Sequence, residues 1–110
     1  MSKISSYGIY SARFPFLDSS EHKLRPVIVV SKSYGEYGVV AVVPLSSKTE
    51  VETVDIDISG WLSAGLVAPS VARVHRLTAI LQSRLITEMG VLNASDIKKL
   101  QESMRTFLGL

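Results

Sequence analysis

Pro26-Val27-Ile28-Val29-Val30-Ser31, then Tyr34-Gly35-Glu36-Tyr37-Gly38, then Val39-Val40-Ala41-Val42-Val43-Pro44 decide the fold class of this chain. The two flanking runs are β-branched and continuously apolar, the composition of strands buried on both faces, with proline confined to the first residue of the first run. The glycines between them supply turn chemistry, so the pair reads as a hairpin. Upstream, residues 7–12 carry a short strand pattern, and residues 13–24 are a polar segment broken by Pro15 that reads as a long loop. Downstream, Val54, Ile56 and Ile58 alternate with Asp55 and Asp57, the pattern of a strand with one face on the core and the other in water. Gly60-Trp61-Leu62-Ser63-Ala64-Gly65-Leu66 is a compact connector, and a further short strand falls within residues 81–89.

Residues 93–108 place Ile97, Leu100, Met104, Phe107 and Leu108 at helical spacing. Asn93 or Ser95 caps that helix, Asp96 favours its positive end, and Gly109 stops it. Trp61 and Phe107 read as core or dimer anchors. Five or six short strands with one terminal helix give a mainly β (α+β) class, a small antiparallel barrel with a C-terminal α-helix.

Composition narrows the function classes. The 110 residues with 46% hydrophobic content make one domain over 1–110. There is no cysteine, which removes disulfide scaffolds, thiolate nucleophiles and cysteine-ligated metals. No apolar run has the length of a signal peptide or a membrane span, the longest being residues 39–43, so a soluble, cytoplasmic protein with no membrane partner is expected. A net charge of +2 permits an anionic partner without demanding one.

The residues that carry chemistry lie in Ser70-Val71-Ala72-Arg73-Val74-His75-Arg76-Leu77-Thr78, an alternating strand pattern opened by Pro69. On a strand Arg73 and His75 share one face, with Ala72, Val74 and Arg76 on the other. A guanidinium beside an imidazole suits a phosphate, and the pair can both hold a phosphodiester and move a proton. Arg25, at the entrance of an apolar strand, either pairs with Glu21 on the surface or emerges at the sheet rim as a binding residue. Ser46 and Ser47 are turn residues or site residues, and no G-x-S-x-G elbow surrounds them. Asp55 and Asp57 share a strand face, better read as solvated than as a Mg²⁺ site because no third carboxylate lies nearby. His22 reads as exposed.

Gly8-Ile9-Tyr10, Arg13-Phe14-Pro15-Phe16-Leu17-Asp18 and Leu24-Arg25-Pro26-Val27-Ile28-Val29-Val30-Ser31 resemble the N-terminal half of the PemK/MazF family of toxins from toxin–antitoxin pairs. Ala64-Gly65-Leu66, Pro69-Ser70, Arg73 to Thr78, Met89-Gly90-Val91-Leu92 and Phe107-Leu108-Gly109-Leu110 continue it in order and spacing, over nearly the whole chain. The resemblance implies an SH3-like barrel, a homodimer, and an endoribonuclease that cuts single-stranded RNA, chiefly mRNA, at short sequences without metal or cofactor. It implies as partner a cognate antitoxin whose C-terminal segment fills the RNA groove. Arg25 matches the family's Arg-Pro arginine and Ser46 its small hydroxyl residue after the third strand. The chain departs from the family in carrying His75 where the PemK branch has an aspartate two residues after the arginine, and serine where threonine is common.

The reaction itself asks for little. RNA brings its own nucleophile, the 2′-hydroxyl, so the enzyme need only remove that proton, steady the charge on phosphorus and assist the departing 5′-oxygen, leaving 2′,3′-cyclic phosphate and 5′-hydroxyl ends. His75 suits the general base, since an imidazole titrates near neutral pH. Arg73 suits stabilisation of the phosphorane, since a guanidinium stays charged. Arg25 supplies a second phosphate contact and Ser46 orients the scissile phosphate, with Ser47, Lys48 and Arg76 gripping neighbouring RNA groups. Two rival readings stay open: a toxin that poisons a protein target, as the CcdB toxins do on this barrel with a tryptophan-bearing C-terminus, and a binding module without activity.

Overall fold

A computed structural model describes residues 4–13, 24–47 and 52–110; the Phe14–Pro15–Phe16 part of the expected loop, His22 and Lys48 lie outside them. The strands are β1 (Gly8–Arg13), β2 (Leu24–Val29), β3 (Val39–Ser46), β4 (Ile56–Asp57), β5 (Val71–Ala72), β6 (Thr78–Leu81) and β7 (Leu85–Val91), followed by helix α1 (Ala94–Leu108). All pairings are antiparallel, in the order β4-β5-β3-β2-β1-β7, with β6 on the same edge of β3 as β5. The α+β class stands as expected. The barrel does not close: β4 and β7 end the path, and among the described residues they do not pair. α1 packs beside the two-residue β4 and the turn after β5.

The two central strands bury both faces, as their continuous apolar runs require. Ile28 and Val43 enter one cluster with Ile9, Leu45, Val74 and Leu100, while Val27, Val29 and Val42 enter the other with Ala12, Val40 and Ile80. Tyr34 and Val39 close the hairpin through reciprocal backbone bonds of 3.0 and 2.7 Å, and Gly35 and Gly38 take the left-handed φ values of +81° and +72° that the turn needs. Pro26 is not the first residue of its strand. β2 begins at Leu24, Pro26 pairs with Ser11, and the β2–β3 pairing ends at Val27 opposite Pro44. Pro26 has no N–H to give β3, so that ladder stops there, while Pro44 turns its carbonyl to the other edge of β3 and accepts from the Arg73 N–H at 2.9 Å.

The helix caps follow the sequence. Asn93 accepts a 2.8 Å bond from the Asp96 N–H, and Gly109 takes the αL conformation. Leu100 is fully buried and Ile97 and Met104 pack on the main cluster, but Phe107 and Leu108 are exposed, because contact with the core ends at Met104. Trp61 is the core anchor of the two expected. Asp96 does more than face a helix end. Its buried carboxylate accepts from the Ser59 hydroxyl at 2.9 Å, the Gly60 N–H at 3.0 Å and the Ser59 N–H at 3.2 Å, tying the start of the connector to the helix. The connector folds on itself through Ala64 N–H to Gly60 O at 3.0 Å and Leu66 N–H to Trp61 O at 3.0 Å, and it crosses β7 so closely that a Cβ on Gly90 would overlap the Ala64 carbonyl.

Candidate active site

The segment from Ser70 to Thr78 is not one strand. β5 ends at Ala72, residues Val74–Arg76 form a single 3₁₀ turn, and β6 resumes at Thr78. The cause lies in β3, an eight-residue strand that pairs with β5 along one half and β6 along the other. The register of the two partners against β3 differs by three residues, and those three are taken up in the turn. Arg73 still donates its N–H to Pro44 O at 2.9 Å, and Val74 plugs into the core with no exposure. Arg73 and His75 therefore do not share a strand face.

They converge instead on Asp55. His75 Nδ1 lies 2.9 Å from Asp55 Oδ1, and the His75 N–H donates to the same oxygen at 3.4 Å. Arg73 Nε lies 3.1 Å from Oδ2, a contact of charges whose N–H is not aimed well enough to be a hydrogen bond. The Glu52 N–H donates to Oδ2 at 3.0 Å. The Asp55 side chain is completely covered, against 11% exposure for Arg73 and 27% for His75. This corrects the reading of Asp55 and Asp57 as a solvated pair: Asp57 is exposed and Asp55 is not. Its burial alone would raise its pKa, but the hydrogen bonds from the His75 ring, the Glu52 N–H and the His75 N–H, with the charge of His75, outweigh that and hold the carboxyl below its ordinary value. Spacing alone could not reveal Asp55. The available signal was that two basic groups drawn into one sheet need a counter-charge.

Arg25 pairs with Ala12 of β1, and Ser46 pairs with Val71 of β5. Residues opposite one another on antiparallel strands point to the same side. Continued two residues past its end, the register of Val27 with Pro44 sets Arg25 across from Ser46. Arg73 follows Val71 by two residues while its backbone still bonds β3, so its side chain leaves on the side of Ser46. Arg25, Ser46 and Arg73 thus emerge from one side of the sheet, the side that carries Val27 and Val42. Ser47 is exposed just beyond β3, and Arg76 is half-buried in the 3₁₀ turn. Among the described residues no three His, Asp or Glu side chains gather as a metal-ligating group.

Asp55 and Asp96 both have lowered carboxyl pKa values; at Asp96 the burial that would raise it is overcome by the Gly60 N–H, the Ser59 hydroxyl and Lys99. A depressed folded pKa stabilises above the unfolded value and loses that contribution as pH falls through the folded one. The urea midpoint is expected to fall below about pH 4, where an unperturbed aspartate takes its proton. The gap between the native protein and Asp96→Asn should narrow over the same range. A gap constant from neutral pH to pH 3 would remove the carboxylate charge as its source.

Residues 6–108 match the family described as PemK-like, MazF-like toxin of type II toxin–antitoxin system. No curated protein matches the chain. Among solved structures, the Mycobacterium tuberculosis toxin MazF-mt6 superposes with a TM-score of 0.73 at 23% identity, covering 94% of this chain and 97% of that one. An endoribonuclease in complex with its cognate antitoxin from a mycobacterial species gives 0.74 at 14% identity, covering 97% and 96%. MazF from Deinococcus radiodurans gives 0.74 at 13%, covering the whole of both chains. The fold is common to all three, and with the match running through nearly every element from β1 to α1, the chain belongs to the PemK-like, MazF-like toxins of type II toxin–antitoxin systems.

Proposed function

We propose that the chain, acting as one domain over 1–110, is a sequence-specific endoribonuclease toxin that cleaves single-stranded RNA, chiefly mRNA, in the cytoplasm without a metal or other cofactor. The observation that carries this reading is the emergence of Arg25, Ser46 and Arg73 on one side of the sheet, with His75 held to the same carboxylate as Arg73. Two fixed guanidinium charges suit a phosphodiester, and the imidazole beside them suits proton transfer. His75 takes the 2′-hydroxyl proton; the 2′-oxygen bonds to phosphorus; the bond from phosphorus to the 5′-oxygen breaks, and that oxygen collects a proton from water. Arg73 offsets the added charge on the phosphorane, Arg25 and Ser46 hold the phosphate, and Ser47, Lys48 and Arg76 contact flanking nucleotides. A second copy of the chain and an antitoxin segment laid in the same groove are the protein partners of this reading.

Purified protein incubated with single-stranded RNA in EDTA should give fragments with 2′,3′-cyclic phosphate ends. Intact RNA under conditions where the folded protein binds it would favour a binding module instead. Arg25→Ala should weaken binding and turnover together, and should make the dependence of log K on log salt shallower by about 0.7, the amount for one single-strand phosphate contact. An unchanged slope would take Arg25 out of the groove.

A further inference from the structure

Asp55 is an expensive residue to keep where it is. A carboxylate with no exposed side-chain surface is stable there only through partners, and both side chains it meets are the ones assigned to the reaction. An ionised carboxylate can only accept hydrogen bonds. With Asp55 Oδ1 at 2.9 Å from His75 Nδ1, the single proton of a neutral imidazole has to sit on Nδ1, which leaves the lone pair on Nε2. No described residue is hydrogen-bonded to Nε2, and the ring keeps 27% of its side-chain surface exposed. The other oxygen, Oδ2, stands at Arg73 Nε, the one guanidinium nitrogen that is not at the tip.

We infer that Asp55 is a positioning residue for RNA cleavage: one buried carboxylate fixes the tautomer and direction of the His75 base with Oδ1 and anchors the Arg73 guanidinium with Oδ2. The inference rests on the reading of His75 as the base given under Proposed function. Asp55 cannot touch RNA itself, because its side chain is covered. It acts through two groups at once, which ties the proton acceptor and the phosphate charge to a single rigid reference.

The experiment compares Asp55→Asn, Asp55→Glu, His75→Ala and the double variant Asp55→Asn/His75→Ala on single-stranded RNA in EDTA, together with nitrogen-15 spectra of the imidazole in the RNA-free native protein. Asp55→Asn should lower kcat by up to about 10⁴-fold, the loss when the carboxylate behind a catalytic histidine is neutralised, with KM changed far less. Asp55→Glu should recover part of that loss, and in the His75→Ala background Asp55→Asn should cost much less than it does in the native protein, since only the part that runs through Arg73 is left to lose. The spectra should show His75 protonated on Nδ1 and unprotonated on Nε2. Full kcat in folded Asp55→Asn, with His75→Ala inactive, overturns the positioning role alone. Full activity in His75→Ala overturns the base assignment beneath it. Should Asp55→Asn fail to fold, the spectra decide: a proton on Nε2 in the native protein overturns the inference.

Discussion

His75→Ala is expected to lower RNA cleavage by two to four powers of ten, the usual contribution of a positioned general base, while leaving RNA affinity nearly intact. Affinity should survive because the proposed function gives the phosphate contacts to Arg25 and Arg73, and the contact of Arg73 with Asp55 does not involve the imidazole. The substitution does remove a hydrogen bond from a buried carboxylate, at a cost of about 1–3 kcal/mol, so some loss of thermal stability should accompany it. His75→Asn separates the two effects. Its amide N–H can still donate to Asp55 Oδ1, but it has no basic nitrogen. Stability near that of the native protein combined with activity as low as in His75→Ala would show that proton transfer, and not the prop under Asp55, is what the imidazole provides. Native activity in His75→Asn would move the base elsewhere.

What was legible beforehand was what short-range chemistry dictates. The hairpin, the strands buried on both faces and the helix with its Asn93 and Gly109 caps are each specified by side chains within a few residues of the feature. The open sheet and the break after Ala72 were not, because both depend on pairings between distant segments: the three-residue difference in register against β3 has no trace in the alternation of Val71, Arg73 and His75. For the site, sequence nominated Arg73 and His75 together and for the wrong geometric reason. A shared strand face was expected, and a shared carboxylate is what joins them. Alternation assigns Asp55, a charged residue between apolar ones, to water, a rule that fails when a neighbouring turn offers counter-charges. The bonds of Asp96 leave no local signal either, since its partners Ser59 and Gly60 lie far from it in sequence.

Gly90→Ala should cost about 3–5 kcal/mol, the tail of single-substitution effects reached only by a defect the structure cannot absorb. Gly90 pairs with Ile9 on β1, and the connector crosses it so that a new Cβ would overlap the carbonyl of Ala64. Neither side can give way cheaply. Ala64 is buried in the main core and its N–H is bonded to Gly60, while β7 is held along its length by β1. The reciprocal contact, Gly65 against the Met89 carbonyl, shows two backbones packed directly on each other, which is the use of glycine that no side chain can replace. Gly90 does not carry a positive φ, so its substitution tests space alone; Gly35→Ala, with φ +81° and nothing within 4 Å of the added carbon, tests conformation alone and should cost about 1 kcal/mol. At about 4–8 °C per kcal/mol for a domain of this size, the melting temperatures of the two variants should separate by roughly 8 °C or more. Equal shifts would mean that the connector slides off β7 freely. In that case the crossing does not hold the connector in place, and its Asp96-bound start at Ser59 and Gly60, which follows β4 and Asp55, would have to be secured by the helix alone.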